Sequence, residues 1–429
     1  MRYSAGLRGS AALPLAEWLR LSRPSSEILK IHFMRHVPKS AYYALTTLNS
    51  LGTSFYYFYL FFFMERQFGF GNLGNLTMSA AHGFLYMFAA RHGGRYGQLH
   101  GYHRALRIGV VVMLGAMVIA WQSSTVAAHL GALAIWTCGV CFTWPTLEAL
   151  VSEGETPAGL HRSLGVYNLV WAGSSACAYF FGSTILDVFG AKSLFLVPAG
   201  IHAAQWVILT LAERGYWNVL SGRLQAAPPA APPPELNPRP IARAKLFLKM
   251  AWMANPFAYV AINTVAAIMP VLAGGFGLSP KLVGVFCSVW FFARLATFLV
   301  LWLWPGWHYS LSWFLGACGL LVASFVGISL GRVLWIVIPS QIAFGIAIGL
   351  LYSSSLYYSM DAGDSKGEHG GIHESAIGAG IFLGPAVGVA GITLFPSQPH
   401  SVTWSVGILL AIGMSAMCWV AARFVRTQK

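Results

Sequence analysis

Apolar runs of about 18–25 residues recur along the whole chain, and each is long enough to cross a lipid bilayer as a helix. They fall at 40–64, 73–90, 105–123, 126–150, 164–187, 193–212, 247–271, 281–304, 310–329, 333–357, 373–393 and 402–422. No water-soluble fold holds twelve such segments, because their burial leaves a surface that only charge can solvate. Only 9% of the residues are charged, against about 25% in an ordinary soluble domain. The pattern therefore predicts an all-α integral membrane protein of 12 transmembrane helices. It excludes a soluble enzyme, a disordered chain and a disulfide scaffold. The narrowest break is Gln122–Thr125, between the third and fourth spans.

The gap between the sixth and seventh spans differs from the rest. Residues 228–240 contain seven prolines, which cannot form a helix and offer no apolar face, so an extended linker is expected. On this reading 1–39 is a basic cytoplasmic segment, 40–212 a first six-helix bundle and 213–246 the linker. A second bundle follows at 247–422 and a basic tail at 423–429. No cleavable signal peptide is expected, since Pro14 and Glu17 interrupt the first apolar run. Residues 15–33 have two readings: a short surface helix, or a stretch ahead of a true start at Met34.

The halves echo each other. GLHRSLG (159–165) precedes the fifth span and GIHESAIG (371–378) the eleventh, an offset of 212 residues between His161 and His373. FGFG (68–71) before the second span is matched by FGLS (276–279) before the eighth. Parallel repeats of this kind build two-halved transporters.

Lys and Arg number 27 against 13 Asp and Glu, a net charge of +14. In a soluble protein that excess would point to nucleic acid. Here the basic residues lie between spans, so nucleic acid is not an expected partner. With both termini inside, 22 of the 27 fall on cytoplasmic segments, four outside, and Arg294 within a span. This bias predicts a multi-pass protein of the inner (plasma) membrane with both ends cytoplasmic. The six cysteines, including the Cys138/Cys141 pair, sit in apolar stretches and read as small hydrophobes.

Between the second and third spans the sequence reads GRYGQLHGYHRALR (94–107). Gly94, Gly97 and Gly101 suit a tight turn, and Arg91, Arg95, Arg104 and Arg107 hold it on the cytoplasmic side. Gly380, Gly384 and Gly388 form an i, i+4, i+8 stripe on which another helix can pack. These stretches resemble the major facilitator superfamily of secondary transporters over residues 35–425. Gly94 and Gly101 match the glycines of the family's loop signature, and Arg104 and Arg107 its basic end. Gln98 and Leu99 stand where that signature has Asp-Arg, so its usual acidic relay and gating salt bridge are not implied. GVYNLVW (165–171) and GIFLGPAVG (380–388) are also similar to the family. The resemblance implies two six-helix bundles around a midplane site, with Gly94, Gln98, Gly101 and Arg104 as the gating loop.

Polar groups in lipid are costly and tend to face a cavity. Arg294 is the deepest basic residue, and two roles are open to it: pairing with an anionic group on the solute, or tying helices together. Glu148 closes the fourth span and Glu374 opens the eleventh, both read as near the cytoplasmic face, so no carboxylate is expected at its depth. Further candidate solute-binding residues are Asn49, Thr53 and Tyr57 in the first span, Trp144 in the fourth, and Asn168 and Trp171 in the fifth. The seventh span adds Asn255, Tyr259 and Asn263, and the tenth Gln341 and Tyr352. Pro256 is expected to break the seventh helix locally. His82 reads either as a proton carrier or as a hydrogen-bonded packing residue. His, Cys and acidic residues show no ligand spacing, so neither a metal site nor any cofactor is expected.

The sequence thus points to a secondary or facilitative transporter for a small organic solute, expected to be a monomer in the lipid bilayer and not an enzyme. The alternative is a transport-inactive sensor or a membrane-embedded enzyme on the same fold, although no nucleophile–base set is visible.

Overall fold

The computed structural model describes residues 37–215, 241–362 and 366–427. Among them are twelve α-helices and one short 3₁₀ turn, Pro305–Trp307, and no strand. The first six helices are α1 (Lys39–Phe68), α2 (Asn72–His100), α3 (Tyr102–Gln122), α4 (Val126–Ser152), α5 (Pro157–Phe189) and α6 (Ser193–Glu213). The second six are α7 (Ile241–Gly275), α8 (Pro280–Leu303), α9 (Leu311–Leu330), α10 (Leu334–Ala362), α11 (Lys366–Leu394) and α12 (Ser401–Thr427). The proline-rich stretch and most of the basic N-terminal segment lie outside the described residues.

Every expected span corresponds to one helix. The main difference is length: α2 runs to His100 and α11 begins at Lys366, well beyond the apolar runs. A helix ends where its backbone ladder is terminated, not where hydropathy falls. At α1 the terminator is Gly69, at φ 70°, whose N–H turns back to Glu65 O while the next N–H, of Phe70, donates to Met64 O. At α2 it is Gly101, at φ 98°, a conformation costly for any residue with a Cβ. Side chains start other helices: Thr125 Oγ1 accepts from Ala128 N–H at 3.3 Å and Thr156 Oγ1 from Gly159 N–H at 3.2 Å. Contrary to expectation, α7 continues unbroken through Pro256 and Pro270.

Packing repeats across the two sets of six. α1 packs on α4, α5 and α6, as α7 does on α10, α11 and α12; α3 packs on α4 and α6, as α9 does on α10 and α12. The two sets meet mainly along α2–α11 and α5–α8. Glycines make the first seam close. A Cβ on Gly83 would lie 2.3 Å from Phe382 N, and one on Gly378 2.5 Å from Met87 N. The expected glycine stripe packs elsewhere: Gly380 lies against Pro256 O and Gly384 against Val260 O, on α7.

Among the described residues, ten helices are long and apolar enough to cross a membrane; α1 and α2 have the length but are not among them. Their polar residues explain this: Asn49, Ser50, Thr53, Asn75, Ser79 and His82 are all buried inside the bundle. The outward faces carry large apolar side chains such as Phe189, Leu303, Trp335, Trp404 and Ile412, each more than half exposed, as lipid contact requires. Trp304 is exposed, as an interfacial residue should be. Trp307 and Tyr309, close by in the chain, are buried. Trp307 Nε1 donates to Leu301 O at 2.9 Å, a bond that turns the ring inward.

Candidate functional site

A cavity of about 140 Å³ lies between the two sets of helices. We call the end carrying the α2–α3 turn the lower end and the end carrying the α1–α2 turn the upper. Of the residues expected around a solute, the cavity brings together Thr53, Tyr57, Trp144, Trp171, Tyr259, Asn263, Arg294 and Tyr352, with His82.

Four expected residues lie elsewhere. Asn49 packs against α6, where Gln205 Nε2 donates to its Oδ1 at 3.3 Å. Asn168 accepts from Trp171 Nε1 at 3.1 Å and lines a separate hollow with His161, Trp302 and Tyr357. Asn255 and Gln341 are fully buried away from the cavity, and both polar atoms of each amide lack a hydrogen-bond partner. Asn49 and Asn255 each precede a cavity residue, Thr53 and Tyr259, by one helical turn.

Arg294 projects from the middle of α8 and is 4% exposed. Its Cζ lies 4.4 Å from the Trp171 ring centroid, 4.6 Å from Phe291 and 5.0 Å from Trp290. Three aromatic faces therefore cage the guanidinium, each contributing about 0.5–2 kcal/mol of cation–π attraction. Among the described residues it makes no ion pair, and its Nε has no hydrogen-bond partner. Aromatic faces attract a cation but do not neutralise it.

At the upper side of the cavity Tyr57 Oη donates to Asn263 Oδ1 at 2.9 Å, linking α1 to α7. His82 is fixed nearby: its Nδ1 lies 2.7 Å from Thr137 Oγ1. The Thr137 hydroxyl already donates to Leu133 O at 2.7 Å, so it must accept here, which assigns the imidazole proton to Nδ1. His82 thus lines the cavity with one ring nitrogen held by Thr137.

The lower side holds what the sequence reading missed. Glu374 lines the cavity and accepts from Tyr86 Oη. Next to it is Glu148, fully buried, which accepts from Tyr352 Oη at 3.4 Å. His373 Nε2 stands 3.9 Å from Glu148 Oε1. The reading of Glu148 and Glu374 as residues near the cytoplasmic face is corrected to buried ones, as is the expectation that His and acidic residues do not cluster at ligand spacing. Glu148 lies one turn above the end of α4, and Glu374 lies two turns inside α11 because that helix starts early.

The candidate gating loop is a helix-ended turn. Gly94 sits against Gly371 of α11, where a Cβ on Gly371 would come within 3.3 Å of Gly94 Cα. Gln98 Oε1 accepts from Tyr102 Oη at 2.7 Å, Gly101 supplies the turn, and Arg104 is exposed. In place of a loop salt bridge, Arg107 grips Glu213 of α6 with two nitrogens, tying α3 to α6 within the first set.

A sequence profile of the Major Facilitator Superfamily matches residues 42–385. Among solved structures, the crystal structure of the human organic anion transporter MFSD10 (TETRAN) aligns with a TM-score of 0.64. It covers 88% of this chain and 99% of its own at 14% sequence identity, a likeness of fold. No curated protein sequence matches. Since the profile spans helices α1 to α11, both seams and the cavity they enclose, the chain belongs to the Major Facilitator Superfamily.

Proposed function

We propose that this multi-pass membrane protein is a secondary transporter for small organic anions with an apolar or aromatic body. The observation that carries this reading is Arg294: a buried, aromatic-caged guanidinium facing a cavity, with no carboxylate in ion-pair range among the described residues. A buried charge without a partner costs several kcal/mol, and an anionic cargo that brings the missing charge recovers it. Trp144, Trp171, Tyr259 and Tyr352 line the same cavity and offer flat apolar contact to the rest of the solute. The similar MFSD10 structure is that of an organic anion transporter, which agrees with this class.

Transport proceeds by alternating access. The Tyr57–Asn263 bond closes the upper side, and the contacts of Glu148 and Glu374 close the lower side. Rocking of α1–α6 against α7–α12 about the α2–α11 and α5–α8 seams opens one side at a time. The charge bias of the sequence supports an orientation with the lower end and both termini on the cytoplasmic side of the inner (plasma) membrane.

The test is counterflow in proteoliposomes with a panel of aromatic and aliphatic carboxylates and sulfonates. Wild-type protein accumulates at least one of these anions, and folded Arg294→Ala does not. Transport confined to neutral or cationic solutes, or unchanged in Arg294→Ala, overturns the reading.

A further inference from the structure

We propose that Glu148, His373 and Glu374 form a binding site for a divalent transition-metal ion of the zinc class, bridging α4 and α11. One ligand atom from each residue lies within 4.8 Å of the others. The 3.9 Å between His373 Nε2 and Glu148 Oε1 is too long for a hydrogen bond. It is close to the spacing of two ligands on one ion, given metal–ligand bonds of about 2.0–2.2 Å.

Two further atoms point the same way. His373 Nε2 and Glu148 Oε2 are buried with no hydrogen-bond partner, and both residues are 0% exposed. Native proteins rarely leave such atoms unsatisfied. Charge agrees as well. A divalent ion would cancel the two charges of the carboxylates that ionise to ligate it, with the imidazole staying neutral.

The surrounding bonds are those of a metal site. His373 Nδ1 is held 3.1 Å from Ser355 Oγ, which leaves Nε2 as the free ring nitrogen. Tyr352 Oη holds Glu148 and Tyr86 Oη holds Glu374. Each ligand thus has an outer partner fixing its orientation, as first-row metal sites require. Glu374 lines the central cavity, so an ion reaches the site from there. The mixed nitrogen–carboxylate set suits zinc better than calcium or magnesium, which take all-oxygen shells. Because Glu148 belongs to the first set of helices and His373 and Glu374 to the second, a bound ion would clamp the lower side shut. This inference is separate from anion transport and does not depend on Arg294.

The experiment uses purified full-length protein, stripped with a chelator and titrated with ZnCl2 in the presence of a weak competing chelator. Wild type is expected to take up one equivalent that His373→Ala and Glu148→Gln lose. His92→Ala, at an exposed histidine of α2, is expected to keep it. X-ray absorption on singly loaded wild type is expected to show one imidazole, oxygen ligands and no sulfur, which decides the matter even where a variant fails to fold. Zinc uptake equal in wild type and His373→Ala overturns the proposal. So does a shell containing sulfur or several imidazoles, or uptake of protons alone with no zinc.

Discussion

The two sides of the cavity are built on opposite plans. Around Arg294 the contacts are aromatic faces, and no side chain among the described residues supplies a counter-charge. Around Glu148, His373 and Glu374 each charged or polar group is braced by a hydroxyl, from Tyr352, Ser355 and Tyr86. A cage of rings holds a cation in place while leaving its charge to be met by whatever enters. A braced cluster holds its own geometry whether or not anything enters. The first plan suits a cargo that comes and goes; the second suits a fixed ion or latch.

The largest effect is expected at Arg294. Arg294→Ala should lower anion uptake at least 100-fold, about 2.8 kcal/mol at 1.4 kcal/mol per tenfold. Arg294→Lys should recover part of it, since an ammonium keeps the charge but loses the fork and the stacking on Trp171. Initial rates in proteoliposomes decide. If Lys does no better than Ala, shape outweighs charge on that side; if Lys equals wild type, the aromatic cage is dispensable.

The seam that frames both sides comes next. Gly83→Ala puts a methyl 2.3 Å from Phe382 N and 2.4 Å from Ile381 C, backbone atoms that cannot swing aside. Overpacking of this kind costs about 1–3 kcal/mol. The expected result is a lowered thermal unfolding temperature in detergent. Gly115→Ala, with no neighbour within 4 Å, should match wild type. Equal stability of the two would mean the α2–α11 seam is looser than its geometry.

A smaller change sharpens the lower side. Tyr86→Phe removes the donor to Glu374 without touching a ligand atom. Loss of an outer-sphere bond costs about 10–100-fold in metal affinity, so zinc binding should weaken by about tenfold while stoichiometry stays at one. Unchanged affinity would show that Glu374 needs no brace.

How much of this was legible in the sequence differs between the two sides. Arg294 was, because a lone base inside an apolar run has few explanations. Tyr259 and Asn263 were, because i, i+4 spacing fixes a helix face. The lower cluster was not. Glu148 and Glu374 are far apart in the chain, and their depth was judged from hydropathy, which ends before the helices do. Since α11 begins at Lys366 rather than near residue 373, Glu374 moves inward by two turns. The His161–His373 echo was legible as a repeat but not as chemistry. On α5 the copy bonds Trp302 O at 3.1 Å, whereas on α11 it faces an acid.

The smallest effect is expected at the upper side, where the closure is a neutral hydrogen bond rather than an ion cluster. Tyr57→Phe removes the bond to Asn263 Oδ1 and keeps the ring, which lies nearly parallel to Trp136 at 6.3 Å. A neutral hydrogen bond contributes about 0.5–1.5 kcal/mol net, so the upper-closed state should lose about fivefold in population relative to its alternatives. Accessibility of a cysteine placed at Thr53 to an impermeant reagent would report it, as faster labelling from the upper side. Tyr57→Phe also removes the 3.1 Å contact with Ser79 Oγ, so Asn263→Ala should give the part of the effect owed to the shared bond, and the double variant should add little to Tyr57→Phe. If the two effects add in full, the Tyr57–Asn263 bond is not what closes that side.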